Sequence, residues 1–85
     1  MIDLNFISKE ACIIAKARGQ TGNVFKHVAG EVIEAQEALY SEPDELANEL
    51  ADVIICCLSA AGHYGLNIEK AIEYKMEQNV KRIPK

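Results

Sequence analysis

Glu31-Val-Ile-Glu34-Ala-Gln-Glu-Ala-Leu-Tyr-Ser41-Glu-Pro43-Asp-Glu-Leu-Ala-Asn-Glu49-Leu-Ala-Asp52-Val-Ile-Ile-Cys-Cys-Leu-Ser-Ala-Ala61 decides the fold of this chain. Val24, Val28, Val32 and Leu39, with Phe25 and Ala35 beside them, stand at helical spacing and predict a helix from about Asn23 to Leu39. Ser41 to Glu45 then reads as a helix start: a capping hydroxyl, an early proline and acids in the first turn. Leu46, Leu50, Val53, Ile54, Cys57, Leu58 and Ala61 carry the next helix to about His63, stopped near Gly65. From Val53 to Ala61 that helix is apolar on nearly every side, the pattern of a helix covered all round. Four short helices cannot easily surround one of their own number, so a second chain is expected over its far side.

The same logic extends in both directions. Leu4, Phe6, Ile7, Ile13, Ile14 and Ala17 predict a first helix from about Leu4 to Ala17, capped by Asp3 or Asn5. Asn67 can cap a last helix carrying Ile68, Ala71, Ile72 and Met76 to about Lys81, with Pro84 preventing much extension. Strand signals are weak and loops are short. The expectation is therefore an all-α chain. Its short antiparallel helices form a four-helix bundle, consecutive helices packing together, completed by homo-oligomerisation.

The 85 residues make one domain, taken as 1–85, and 49% hydrophobic with 26% charged is ordinary globular composition. The longest nearly apolar run, Val53 to Gly62, is too short to span a bilayer, so no membrane partner is expected. Residues 1–16 lack a basic stretch leading into an apolar one, so no signal peptide is expected. Three cysteines, Cys12 and the adjacent Cys56 and Cys57, pair by no pattern. They read as packing residues in a reducing cytoplasm. The net charge of −4 disfavours a nucleic-acid partner.

That charge is unevenly spread. Glu31 to Asp52 holds eight carboxylates and no Lys or Arg, whereas Lys70 to Lys85 holds five of the nine basic residues. An acidic run is a solvated face, a disordered tail or a cation site, according to where its carboxylates point. Glu31 and Glu34 lie three apart on one predicted helix, and Glu49 and Asp52 three apart on the next, so each pair shares a helical face. The fourteen residues between the pairs suffice to finish one helix, turn and return antiparallel. All four carboxylates can then converge between two helices. Converging carboxylates in a partly buried cleft need a cation, and hard oxygen ligands favour magnesium, with manganese as a substitute. Spacing alone leaves this open against a pair of solvated faces. Glu37, Glu42, Asp44 and Glu45 read as surface or helix-start acids. A di-iron carboxylate bundle needs Glu three residues before His, which neither His27 nor His63 has.

Four segments in order, Glu31-Val-Ile-Glu34-Ala-Gln-Glu-Ala, Glu49-Leu-Ala-Asp52-Val-Ile-Ile, Gly65-Leu-Asn-Ile-Glu-Lys-Ala-Ile and Lys75-Met-Glu-Gln-Asn79-Val-Lys-Arg82, resemble the MazG-like nucleoside triphosphate pyrophosphohydrolases. The resemblance covers about Phe25 to Pro84. It implies an all-α fold, a homodimer or dimer of dimers, magnesium, and cleavage of an NTP or dNTP between the α and β phosphates to monophosphate and pyrophosphate. It implies that Glu31, Glu34, Glu49 and Asp52 are the metal ligands and catalytic residues, one of the glutamates being a candidate base toward water. It also implies that Lys75, Asn79 and Arg82 bind substrate phosphates. On residue types alone those three read equally as a basic helix end complementing its dipole. Gly30 stands where the family often shows a further glutamate. This motivates an alternative reading, a catalytically weak or inactive helical oligomer that binds nucleotide and metal. Arg18-Gly-Gln-Thr-Gly22-Asn23 lacks the Gly-Lys-Ser/Thr of a phosphate loop and follows no strand. Lys16 and Arg18 are the cations that could reach a nucleotide from there.

Overall fold

Asp3, Asn23 and Asn67 each stand just before a run of helical apolar spacing, and each becomes an N-cap. Asp3 Oδ1 accepts from the Phe6 amide, Asn23 Oδ1 from those of Phe25 and Lys26, and Asn67 Oδ1 from that of Lys70. A computed structural model describes residues 2–20 and 22–84; Thr21, within the Arg18–Asn23 loop, lies outside the described residues. Its helices are α1 (Leu4–Ala17), α2 (Val24–Ser41), α3 (Leu46–His63) and α4 (Ile68–Lys81), with a single 3-10 turn, Pro43–Glu45, leading into α3. Among the described residues every regular element is helical, so the all-α, four-helix expectation holds.

Two local assignments change. Ser41 does not cap α3: it ends α2, its hydroxyl donating back to the Glu37 carbonyl at 2.9 Å. The α3 entry relies instead on Pro43 and the acids of the 3-10 turn, with no side-chain cap. Asn5 is not the α1 cap. Its Nδ2 donates to Asn67 Oδ1 at 2.9 Å and its Oδ1 accepts from the Glu69 amide, so it ties the start of α4 to the start of α1.

α3 is the central helix. α1 packs along one side of it and α2 along another, while α1 and α2 scarcely touch and α4 rests on α1. The expected pairing of consecutive helices thus holds for α2 with α3 but not for α1 with α2 or α3 with α4. The α1–α3 seam is built from small side chains that let two backbones come close. Buried Ser8 donates to the Leu58 carbonyl at 2.6 Å, and Ser59 to that of Ala11 at 3.5 Å. Gly62 lies against Ser8, where a Cβ would stand 2.6 Å from the Ser8 carbonyl oxygen.

The rest of the surface is open. Among the described residues the buried apolar ones are Ala11, Cys12, Ala35, Ala38, Leu58, Ala60 and Ala61, and no large side chain is fully enclosed. Leu50 is 49% and Ile54 58% exposed, and no residue of α4 is buried. The accessible surface is 6734 Å², against about 5,000 Å² for a compact monomer of this mass. The radius of gyration is 14.6 Å, against about 12 Å for a compact chain of this length. Pro43–His63 taken whole is also long and apolar enough, by length and composition, to cross a membrane. Val53–Gly62 judged alone is not. In this fold that apolar surface is divided: its C-terminal part is buried on α1, and Leu50, Ile54 and Ile55 stay open.

Candidate metal centre

The α2–α3 hairpin positions the acids by symmetry about its turn. Glu34 and Glu49 are equally distant in sequence from the Ser41–Glu42 junction, and so are Glu31 and Asp52. In an antiparallel helix pair such residues stand at the same level, and the i, i+3 spacing turns both levels to one face. One oxygen each of Glu31, Glu49 and Asp52 lies within 4.8 Å of the others. Glu34 lies close enough to act electrostatically on both Glu31 and Glu49, but it is exposed and outside that trio.

The electrostatics show the strain of this arrangement. The Glu31 carboxyl is pushed above its ordinary 4.5, first by burial and then by the charges of Glu34, Asp52 and Glu49. Glu49 is raised too, by burial and then by Asp52, Glu34, Glu45 and Glu42. Glu31 Oε2 and Glu49 Oε2 are buried and have no hydrogen-bond partner, although the residues that carry them are only half-buried. Buried carboxylate oxygens without donors are costly unless protonated or bound to a cation. A set of hard oxygens converging around unpartnered ones fits a divalent ion such as magnesium.

The trio divides two unlike cavities. One, of about 180 Å³, is lined by Glu34, Glu37, Ala38, Ser41, Glu42 and Glu49, so that every charge in its lining is negative. The other, of about 290 Å³, opens from Glu31 and Asp52 toward α1 and is lined there by Ile14, Arg18, Gln20, Cys56 and Ser59. A third space of about 20 Å³, with room for about one water, adjoins it and is lined by His27 and Cys56 among others. His27 therefore faces a neighbouring space and does not join the converging ligand atoms. The Cys56 thiol is pushed above its usual range by burial and by Glu31, Cys57 and Asp52, which suits packing and not nucleophilic attack.

Lys75, Asn79 and Arg82 are exposed on or at the end of α4. None of them lines either cavity that holds the carboxylates. Gln20, Cys56 and Ser59 line the larger cavity and carry no motif; the one sequence signal near them is Gly19. It adopts φ +75° and closes α1 with paired bonds from the Gly19 amide to the Lys16 carbonyl and from the Gln20 amide to that of Ala15.

Comparison with curated proteins and with solved structures gives no match. A family match covers residues 19–85, which takes in both carboxylate pairs, the hairpin turn and α4. On that match the chain belongs to the MazG-like family.

Proposed function

We propose that this chain is a magnesium-dependent nucleoside triphosphate pyrophosphohydrolase, releasing monophosphate and pyrophosphate. The observation that carries the reading is the Glu31–Glu49–Asp52 trio with its two buried, unpartnered oxygens, in a MazG-like chain. Glu31, Glu49 and Asp52 would hold the ion, with Glu34 beside them. When bound, magnesium supplies positive charge for phosphate oxygens and lowers the pKa of a coordinated water. The chain itself supplies the rest. One of the glutamates beside the ion would take the proton of the attacking water as general base. The acid-lined cavity repels a polyphosphate, so the substrate enters from the α1 side, where the lining is mixed.

The active form in this reading is a homodimer. The support is the surplus of about 1,700 Å² per chain over a compact monomer, which over two chains falls in the range of about 2,000–5,000 Å² buried by obligate homodimers. Leu50, Ile54 and Cys57 lie one helical turn apart on the side of α3 turned away from Glu49, Asp52 and Cys56, and all three are exposed. A second copy fits this face better than lipid does, because Glu49 and Asp52 on the same helix would be costly within a bilayer.

Gly30 favours the second reading, nucleotide and metal binding without turnover: open space surrounds the position where a Cβ would stand. Incubation with each nucleoside triphosphate and magnesium separates the two. Pyrophosphate release, abolished in Asp52→Ala with helicity retained, is the expected result. Orthophosphate alone overturns the first reading, and calorimetric nucleotide binding without any product establishes the second.

A further inference from the structure

The α2–α3 hairpin stays closed well beyond the carboxylates. At its far end the Phe25 and Tyr64 rings stack with centroids 6.2 Å apart. Between that ring pair and the Glu31–Asp52 pair lies one more facing pair. His27 and Cys56 are equally distant in sequence from the Ser41–Glu42 junction, about one helical turn beyond Glu31 and Asp52. They therefore stand at one level of the hairpin, on neighbouring helices. Both line the cavity of about 20 Å³, which has room for a single small ion or water. Cys56 also lines the larger cavity, together with Glu31 and Asp52.

These four residues form two chelating pairs. His27 and Glu31 lie four apart on α2, and Asp52 and Cys56 four apart on α3. That spacing puts two side chains on one helical face, within reach of one ion. One oxygen of Glu31 and one of Asp52 already lie within 4.8 Å of each other. The imidazole and the thiol stand outside that convergence, and His27 is exposed, so its ring can turn toward the thiol by side-chain rotation alone. The Cys56 thiol is held protonated by burial and then by Glu31, Cys57 and Asp52. A divalent ion among those carboxylates reverses the sign of the field on it. The donor set is one nitrogen, one sulfur and two oxygens. Magnesium takes hard oxygens alone, whereas a borderline ion such as zinc takes all three kinds in four-fold coordination.

We propose that His27, Cys56, Glu31 and Asp52 form a second metal site within the hairpin, for a divalent ion of the zinc type, sharing two ligands with the Glu31–Glu49–Asp52 trio. Zinc and magnesium then exclude one another, because zinc bound here withdraws Glu31 and Asp52 from the trio. The site needs no nucleotide, so it stands or falls apart from the hydrolase reading.

The probe is cobalt(II) alone, titrated into the full chain at neutral pH with a phosphine reductant. A thiolate–cobalt bond gives a near-ultraviolet charge-transfer band, and four-coordinate cobalt gives strong visible absorption. The parent is expected to show both, with zinc extinguishing them and excess magnesium weakening cobalt binding by competition. Cys56→Ser is expected to abolish the charge-transfer band. His27→Ala and Asp52→Asn should each weaken cobalt binding at least as much as loss of a supporting group around a metal, about tenfold or more. Cys12→Ser and Cys57→Ser should keep the band, since neither thiol lines either cavity. Circular dichroism checks the helicity of each variant, and Cys56→Ala carries the same readout should Cys56→Ser not fold. Any one of three results overturns the proposal: no charge-transfer band in the parent, a band that survives Cys56→Ser, or cobalt affinity within about twofold of the parent in either His27→Ala or Asp52→Asn.

Discussion

Glu31 and Glu49 show how much chemistry a fold can impose on ordinary residues. Each is a glutamate on an amphipathic helix, and each ends with one oxygen turned inward without a donor. Folding raises the proton affinity of both, so between 4.5 and their raised values the folded chain binds more protons than the unfolded one. Stability from this source is complete below the ordinary value and is lost as pH climbs through the raised ones. In chelator, the parent should therefore lose stability from pH 5 to pH 7 relative to Asp52→Asn, which removes a charge acting on both glutamates. Magnesium should stabilise the parent more at pH 7 than at pH 5. Denaturant unfolding at the two pH values measures both, and equal pH slopes for parent and variant would remove the electrostatic account. The i, i+3 pairs were legible in the sequence. That Glu34 would stay exposed while Glu49 turned an oxygen inward was not, because three residues along a helix specify a shared face and not a depth.

At the scale of elements, the helices follow from local rules, and their boundaries agree with apolar spacing and caps to within about two residues. Which helices pack together depends on side-chain size at the contact. The α1–α3 seam needs Ser8 and Gly62 to be small, and the two glycines Gly62 and Gly30 should respond oppositely to the same change. Gly62→Ala forces a methyl against the Ser8 carbonyl and should cost about 1–3 kcal/mol. Gly30→Ala meets nothing within 4 Å in the interior of α2 and should gain about 1 kcal/mol from helix propensity. Denaturation midpoints of the two variants read this directly. Equal effects would mean that the seam is looser than its geometry. Both residues look alike in the sequence, each a lone glycine within helical spacing; only the neighbour across the contact separates them.

The whole molecule exposes more than it should. The central helix buries Leu58 and Ala61 yet leaves Leu50 and Ile54 open, the surface that the proposed dimer would cover. A self-complementary two-fold contact over the Leu50–Ile54–Cys57 face would cover it with one copy and use the same residues twice. Sedimentation of the parent at micromolar concentration should give a dimer, and Ile54→Glu a monomer of lower thermal stability that keeps its helicity. A monomeric parent would leave the surface surplus without a partner of this kind. The apolar run Val53–Ala61 signalled in the sequence that α3 lies at the centre. It did not show that α1 and α2 would both lie along α3 without packing on each other, leaving a cavity lined by Arg18 and Gln20.

By itself the amino-acid sequence determined the helices, the Asn67 cap of α4, and the mirrored acid pairs that mark the chain as MazG-like. Each of these depends on residues within a few positions of one another, or on two helices joined by one short turn. Tertiary structure decided which three of four carboxylates converge, which cavity beside them carries a cation, and that α4 lies away from both. The first depends on how deeply α2 and α3 pack; the other two depend on where α1 crosses α3, and that crossing is set by close backbone contact at Ser8 and Gly62, more than fifty residues apart. No periodicity in the chain records a contact of that separation.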